Sequence, residues 1–154
     1  MRALPNPPSQ VGKGIAPLVF SSTVTPEHRQ KVLALFSALG EWVEVEEAYL
    51  NAITSLSSPV ATYLFFQSLI EAGLSCGLPH TMATQIAAQT ITGSMAVWRS
   101  RQVPPTDLIH QASTPGGVSM MTIETLKEHG FKSAVVDAIL KGAARAAALG
   151  GDRN

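Results

Sequence analysis

From Ala48 to Trp98 the chain carries one formally charged side chain, Glu71. No other feature limits its fold as tightly. A stretch that long and that neutral cannot face water on every side of a lone monomer, because apolar surface left in water costs about 25 cal/mol per Å². It must be buried, and a second copy of the chain is the natural cover. Charged residues make up 14% of the whole, against roughly 25% in ordinary soluble domains, and this one segment holds the deficit. A membrane would be another place to hide it. The best window, 59–77, contains Thr62, Gln67, Ser68, Glu71 and Ser75. A spanning helix needs about 20 mostly apolar residues in a row, so these polar groups argue against a membrane. The N-terminus has no signal-peptide pattern, since Arg2 is followed by Pro5, Pro7 and Pro8. Formal net charge is zero, so no general attraction to nucleic acid is expected.

The neutral segment divides the chain. Before it, the pattern is α/β. Arg2-Ala3-Leu4 and Ile15 to Phe20 read as strands. Thr25, Pro26 and Glu27 open a helix that ends at Gly40, and Glu41 to Val45 alternates like a strand. From Glu46 onward the pattern is helical. A short helix runs to about Ser55, and one apolar on several faces runs from near Pro59 to Cys76. Leu78-Pro79 interrupts. A small-residue helix spans Thr81 to about Arg101, Thr106 caps a brief helix through Ala112, and two more run Ser119–Glu128 and Phe131–Leu149. The fold class is mainly α, a helical domain at 47–149 preceded by a small α/β segment at 1–46. Residues 150–154 read as a disordered tail.

One loop between helices is chemically suggestive, Ser113-Thr114-Pro115-Gly116-Gly117-Val118-Ser119. Gly116 and Gly117 can adopt positive φ and fold the backbone into a nest of N–H groups. A helix starting at Val118 or Ser119 adds unpaired donors and a positive dipole end. Thr114 and Ser119 flank it with hydroxyls. The residues alone leave two readings, a plain turn punctuated by Pro and Gly or a seat for a carboxylate or phosphate. Elsewhere little competes. The lone Cys76 excludes an internal disulfide and, with apolar or small flanks, reads as a buried thiol in a reducing, cytoplasmic setting. His28, His80, His110 and His129 have no metal-ligand spacing, so no metal is expected. Met120 and Met121 read as core filling.

Six phrases carry a family resemblance. Arg2-Ala3-Leu4-Pro5-Asn6-Pro7-Pro8 resembles the R-A-M-P-N-T-P segment of pyrroline-5-carboxylate reductases. Gly40-Glu41 and the strand after it resemble the family's late Rossmann strand. Ala72-Gly73-Leu74 with Gly77-Leu78-Pro79, Ala87-Ala88-Gln89-Thr90, Ser113 to Gly117 and Glu128-His129-Gly130-Phe131 match further family phrases in order and near-family spacing. The resemblance implies an N-terminal Rossmann domain, of which 1–46 is a remnant, and a helical domain that dimerises. It implies NADP- or NAD-dependent reduction of 1-pyrroline-5-carboxylate to L-proline, in proline biosynthesis. It places a small carboxylate ligand on Thr114, Gly116, Gly117, Val118 and Ser119. Ser119, standing at the family's threonine, has its hydroxyl near the ring nitrogen and is the catalytic candidate. Asn6 would border the nicotinamide.

Two departures temper that picture. The fingerprint G-x-G-x-x-G that holds a dinucleotide pyrophosphate is absent, because Gly12-Lys13-Gly14-Ile15-Ala16-Pro17 has proline at the third glycine and leads into a strand. Tight NADP or NAD binding by this chain alone is therefore not expected. Where the family has S-G-S-G-P-A-Y, this chain has Ser57-Ser58-Pro59-Val60-Ala61-Thr62-Tyr63, with both glycines gone. Three possibilities stay open. The chain is a homodimeric reductase portion served by a separate dinucleotide-binding chain or an intact reductase; or it is a non-catalytic dimerising or small-acid-binding protein; or it is an inactive truncated product, as a start at Met1 just before Arg-Ala would suggest.

Overall fold

The computed structural model describes residues 1–151, which form two compact units, 1–59 with 134 onward and 60–133. In the first unit three strands make one sheet in the order β1-β2-β3, with β1 Arg2–Ala3, β2 Gly14–Val19 and β3 Gly40–Glu44. β1 runs antiparallel to β2, pairing Arg2 with Val19 and Ala3 with Leu18. β3 runs parallel to β2, from Gly14 opposite Gly40 to Leu18 opposite Glu44. Parallel neighbours need a crossover, and helix α1, Pro26–Leu39, provides it. Thr25 Oγ1 accepts the His28 N–H, and Pro26 opens the helix as the sequence predicts. Ala16, Leu18 and Phe36 form the core, with Ala3, Phe20, Val32, Leu33 and Leu39 packed round it.

α1 passes straight into β3 with no loop, and glycine makes that possible. Gly40 has φ 137° and ψ −139°, a region almost reserved for glycine. A Cβ there would overlap Gly14, coming within 2.6 Å of its nitrogen. A 3₁₀ turn at Pro7–Val11, which the proline cluster conceals in the sequence, connects β1 to β2. A second, Glu47–Tyr49, precedes helix α2, Leu50–Leu56. Ser55 Oγ donates to Ile139 O at 2.8 Å, tying α2 to a later helix of the same unit.

The second unit is helical: α3 Val60–Ser75, α4 His80–Arg101, α5 Pro105–Ala112 and α6 Val118–Glu128. α7, Phe131–Gly151, begins in this unit and continues in the first. It extends through Gly150 and Gly151, which the sequence places in the tail; 152–154 lie outside the described residues. α3 stops in a Schellman motif. Leu78 N–H bonds Gly73 O at 3.0 Å, Gly77 N–H bonds Leu74 O at 2.9 Å, and Gly77 has φ 87°. Pro79 then caps α4. The two helices touch at small residues, since a Cβ on Gly73 would lie 2.9 Å from Ala83 Cβ. Ala83 and Ala87 are buried there. The start of α5 differs from expectation. Pro104 is the cap and Pro105 the first helical residue, so Thr106 sits inside the first turn.

Most of the second unit's apolar surface has no cover. Tyr63, Leu64, Met82, Ile86, Met95 and Met121 are all exposed. Cys76 is exposed as well, not buried. Both Cys76 and Met121 depart from the burial predicted for them, because that burial needs a surface the chain's own fold does not supply. The accessible area is 11392 Å². A folded monomer of 16.3 kDa exposes about 7,500 Å² by size scaling, and even two separate globules of half that mass expose about 9,000 Å². The excess is on the order of 2,000 Å².

Candidate functional site

The loop between α5 and α6 is a tight turn that hands directly to a helix. Thr114 O accepts the Gly117 N–H at 2.9 Å, with Pro115 second in the turn and Gly116 third at φ 69°. That is the type II pattern, which wants proline at its second position and glycine at its third. Gly117 does not share the positive φ expected of both glycines. It is extended, φ −89° and ψ 175°, and serves as the cap of α6. Its glycine requirement is space, since a Cβ would sit 3.1 Å from Thr114 O and 3.3 Å from Thr114 Cβ.

The consequence is a pair of open donors. Gly117 N–H is spent on the turn, and Met120 N–H bonds Gly117 O at 3.1 Å. Between them Val118 and Ser119 occupy the first two helical positions, where an α-helix has no internal acceptor. No side chain caps this helix. Among the described residues neither amide has a hydrogen-bond partner, nor do the hydroxyls of Thr114 and Ser119. Two N–H donors and two hydroxyls thus stand open within the six residues from Thr114 to Ser119, at the positive end of an eleven-residue helix. Such a set suits the two oxygens of a carboxylate. Val118 is 87% exposed and also begins an open apolar groove along α6 with Met121, Thr122, Thr125 and Leu126.

Asn6 lies in the first unit and has a structural task the sequence did not reveal. Its Oδ1 accepts the Ile15 N–H and its Nδ2 donates to Ser57 O, both at 2.9 Å. One amide thereby clamps the start of β2 to the end of α2. Neither bond is local, so no sequence pattern announces them.

Among the described residues, the turn from β2 into α1 is not built as a pyrophosphate seat. A dinucleotide's pyrophosphate would sit at the N-terminus of a helix that follows a parallel strand, over a glycine-rich turn. α1 is the helix in that place, and its N-terminus is closed. Thr25 already satisfies His28 N–H, Pro26 has no N–H to offer, and residues 20–25 contain no glycine. At the ends of β2 and β3 lies a shallow depression lined by Phe20, Tyr49, Glu44, Glu46 and Glu47. Glu44 pairs with Arg29 and Glu47 with Arg2, and carboxylates there would repel phosphates. No helix is long and apolar enough to cross a membrane among the described residues.

Comparison with known proteins identifies the family. The family model for pyrroline-5-carboxylate reductase dimerisation matches residues 47–149. The pyrroline-5-carboxylate reductase of Synechocystis sp. is 32% identical over 152 residues, covering 97% of this chain and 57% of the relative. The Escherichia coli reductase is 30% identical over 143 residues, covering 92% and 53%. Among solved structures, Plasmodium falciparum pyrroline carboxylate reductase with NADP bound superposes with a TM-score of 0.92 at 28% identity, covering 96% of this chain and 62% of that one. The Streptococcus pyogenes enzyme gives 0.90 at 27%, covering 94% and 57%. The chain spans about half the length of the curated relatives it matches. On the family match across its helical part, it belongs to the pyrroline-5-carboxylate reductase dimerisation family.

Proposed function

We propose that this chain is the dimerising, substrate-holding half of a pyrroline-5-carboxylate reductase of the cytoplasm. Two copies cover each other's exposed helices. The turn at Thr114–Gly117 and the amides of Val118 and Ser119 hold the carboxylate of a five-membered cyclic imino acid. The observation that carries this reading is the pair of amides beside two hydroxyls, all unpartnered among the described residues, in a phrase that resembles the family's. Charge-assisted hydrogen bonds of this kind contribute about 1.5–3 kcal/mol each. The chain's own work is to fix and orient the ring. Ser119 Oγ, which has no partner among the described residues, is the group offered to the ring nitrogen. Asn6, held at both ends, is assigned the edge of the nicotinamide by resemblance alone. Hydride must come from NADPH or NADH, which leaves as NADP⁺ or NAD⁺, carried by a separate dinucleotide-binding chain or an intact reductase.

The test is thermal unfolding with L-proline and with its methyl ester. Proline at about a hundred times its dissociation constant stabilises by about 2.7 kcal/mol, and the ester does nothing. No shift with millimolar proline contradicts the seat. NADPH alone is expected to leave the transition where it was, and a large shift would overturn the account of the cofactor. A second reading, a dimerising protein that binds a small acid without catalysis, is favoured by the closed N-terminus of α1 and by Val60 in place of glycine. Turnover on adding a dinucleotide-binding reductase segment separates the two.

A further inference from the structure

The outward face of α3 repeats like a seam. Val60, Leu64, Gln67, Glu71 and Leu74 recur at alternating spacings of four and three, the spacing by which one helix meets another along its length. All five are exposed, while the opposite side of α3, at Leu69 and Gly73, faces α4. Two of the five places are polar. Glu71 is the one formal charge between Ala48 and Trp98, and Gln67 Nε2 donates to its Oε1 at 2.8 Å. An apolar seam left in water would be costly, and the excess area described above is of the size that an obligate dimer buries.

We infer that Gln67 and Glu71 form a polar register pin in the interface between two copies of this chain. The inference rests on the homodimer proposed above and deepens it. A purely apolar seam can slide by a turn with little change in buried area. A polar group in such a seam permits only the alignment that meets its hydrogen-bonding needs, usually at some loss of stability. The Gln67 bond holds the carboxylate in one direction before the second copy arrives. Glu71 therefore sets how the copies align more than how tightly they hold.

Two tryptophans make the test direct. Trp98 lies on the exposed surface of α4, whereas Trp42 belongs to the sheet unit, where its Nε1 donates to Ser37 Oγ at 3.0 Å. Native mass spectrometry of the full chain comes first, and a wild-type monomer sinks the dimer reading itself. Given a dimer, ¹⁵N spectra of the wild type should show one indole signal from each tryptophan. Glu71→Leu should remain dimeric and split the Trp98 signal into two or more, with Trp42 single. Glu71→Gln, which keeps shape and hydrogen bonding, should retain one Trp98 signal. A single Trp98 signal in Glu71→Leu, or a monomeric Glu71→Leu beside a dimeric Glu71→Gln, overturns the pin. Several Trp98 signals in the wild type do the same.

Discussion

Replacing Gly117 with valine tests the carboxylate seat without removing any side chain that would contact the acid. The backbone at Gly117, φ −89° and ψ 175°, is open to every residue, so the effect is one of space alone. The new Cβ would lie 3.1 Å from Thr114 O and 3.3 Å from Thr114 Cβ, and the two further methyl groups of valine tighten the crowding. Thr114 must give by a few tenths of an ångström for the Cβ and further for the methyl groups, which stretches the 2.9 Å bond from Gly117 N–H towards loss. That loss costs about 0.5–1.5 kcal/mol of stability. The larger effect falls on binding. Val118 and Ser119 follow Gly117 directly, so turning the cap turns their amides. Losing one charge-assisted bond of about 1.5–3 kcal/mol weakens the acid by about 10- to 150-fold. Calorimetric titration with L-proline reads the affinity, and native mass spectrometry checks that the dimer survives. Gly117→Ala, which adds only the Cβ, should fall between wild type and Gly117→Val. An affinity for Gly117→Val within twofold of wild type would refute the assignment of these amides to the site.

Two further predictions concern the scaffold. Gly40→Ala should destabilise the sheet unit by several kcal/mol, because it forces both an unfavourable φ of 137° and an overlap with Gly14; an unfolding midpoint within a degree or two of wild type would contradict the glycine contact. Gln102 ends α4 in the left-handed region at φ 51°, so Gln102→Gly should raise stability by up to about 1 kcal/mol, measured by urea denaturation, and a loss of stability would show that its side chain holds something the backbone does not explain.

What the sequence disclosed was mostly local. Thr25-Pro26 announces the start of α1, Gly40 its end, and Gly77-Leu78-Pro79 the break between α3 and α4, because caps and breakers act within a few residues. The start of α6 at Val118 follows from the Gly pair in the same way. Non-local geometry stayed hidden. The Asn6 clamp joins residues far apart in sequence, and the need for glycine at 117 comes from Thr114 across the turn, not from φ. Cys76 and Met121 read as buried by their neighbours, yet both are exposed. Their composition speaks of an interface, and local pattern cannot tell a surface covered by the same chain from one covered by another. The same limit made Thr106 look like a cap, when the two prolines before it had already set the start of α5.

Sedimentation equilibrium at micromolar concentration bears most directly on the central idea, that the neutral helices exist to be covered by a second copy. The account predicts a species of twice the 16.3 kDa chain mass, with no dissociation on dilution into the nanomolar range. A stable, well-folded monomer across that range would contradict it.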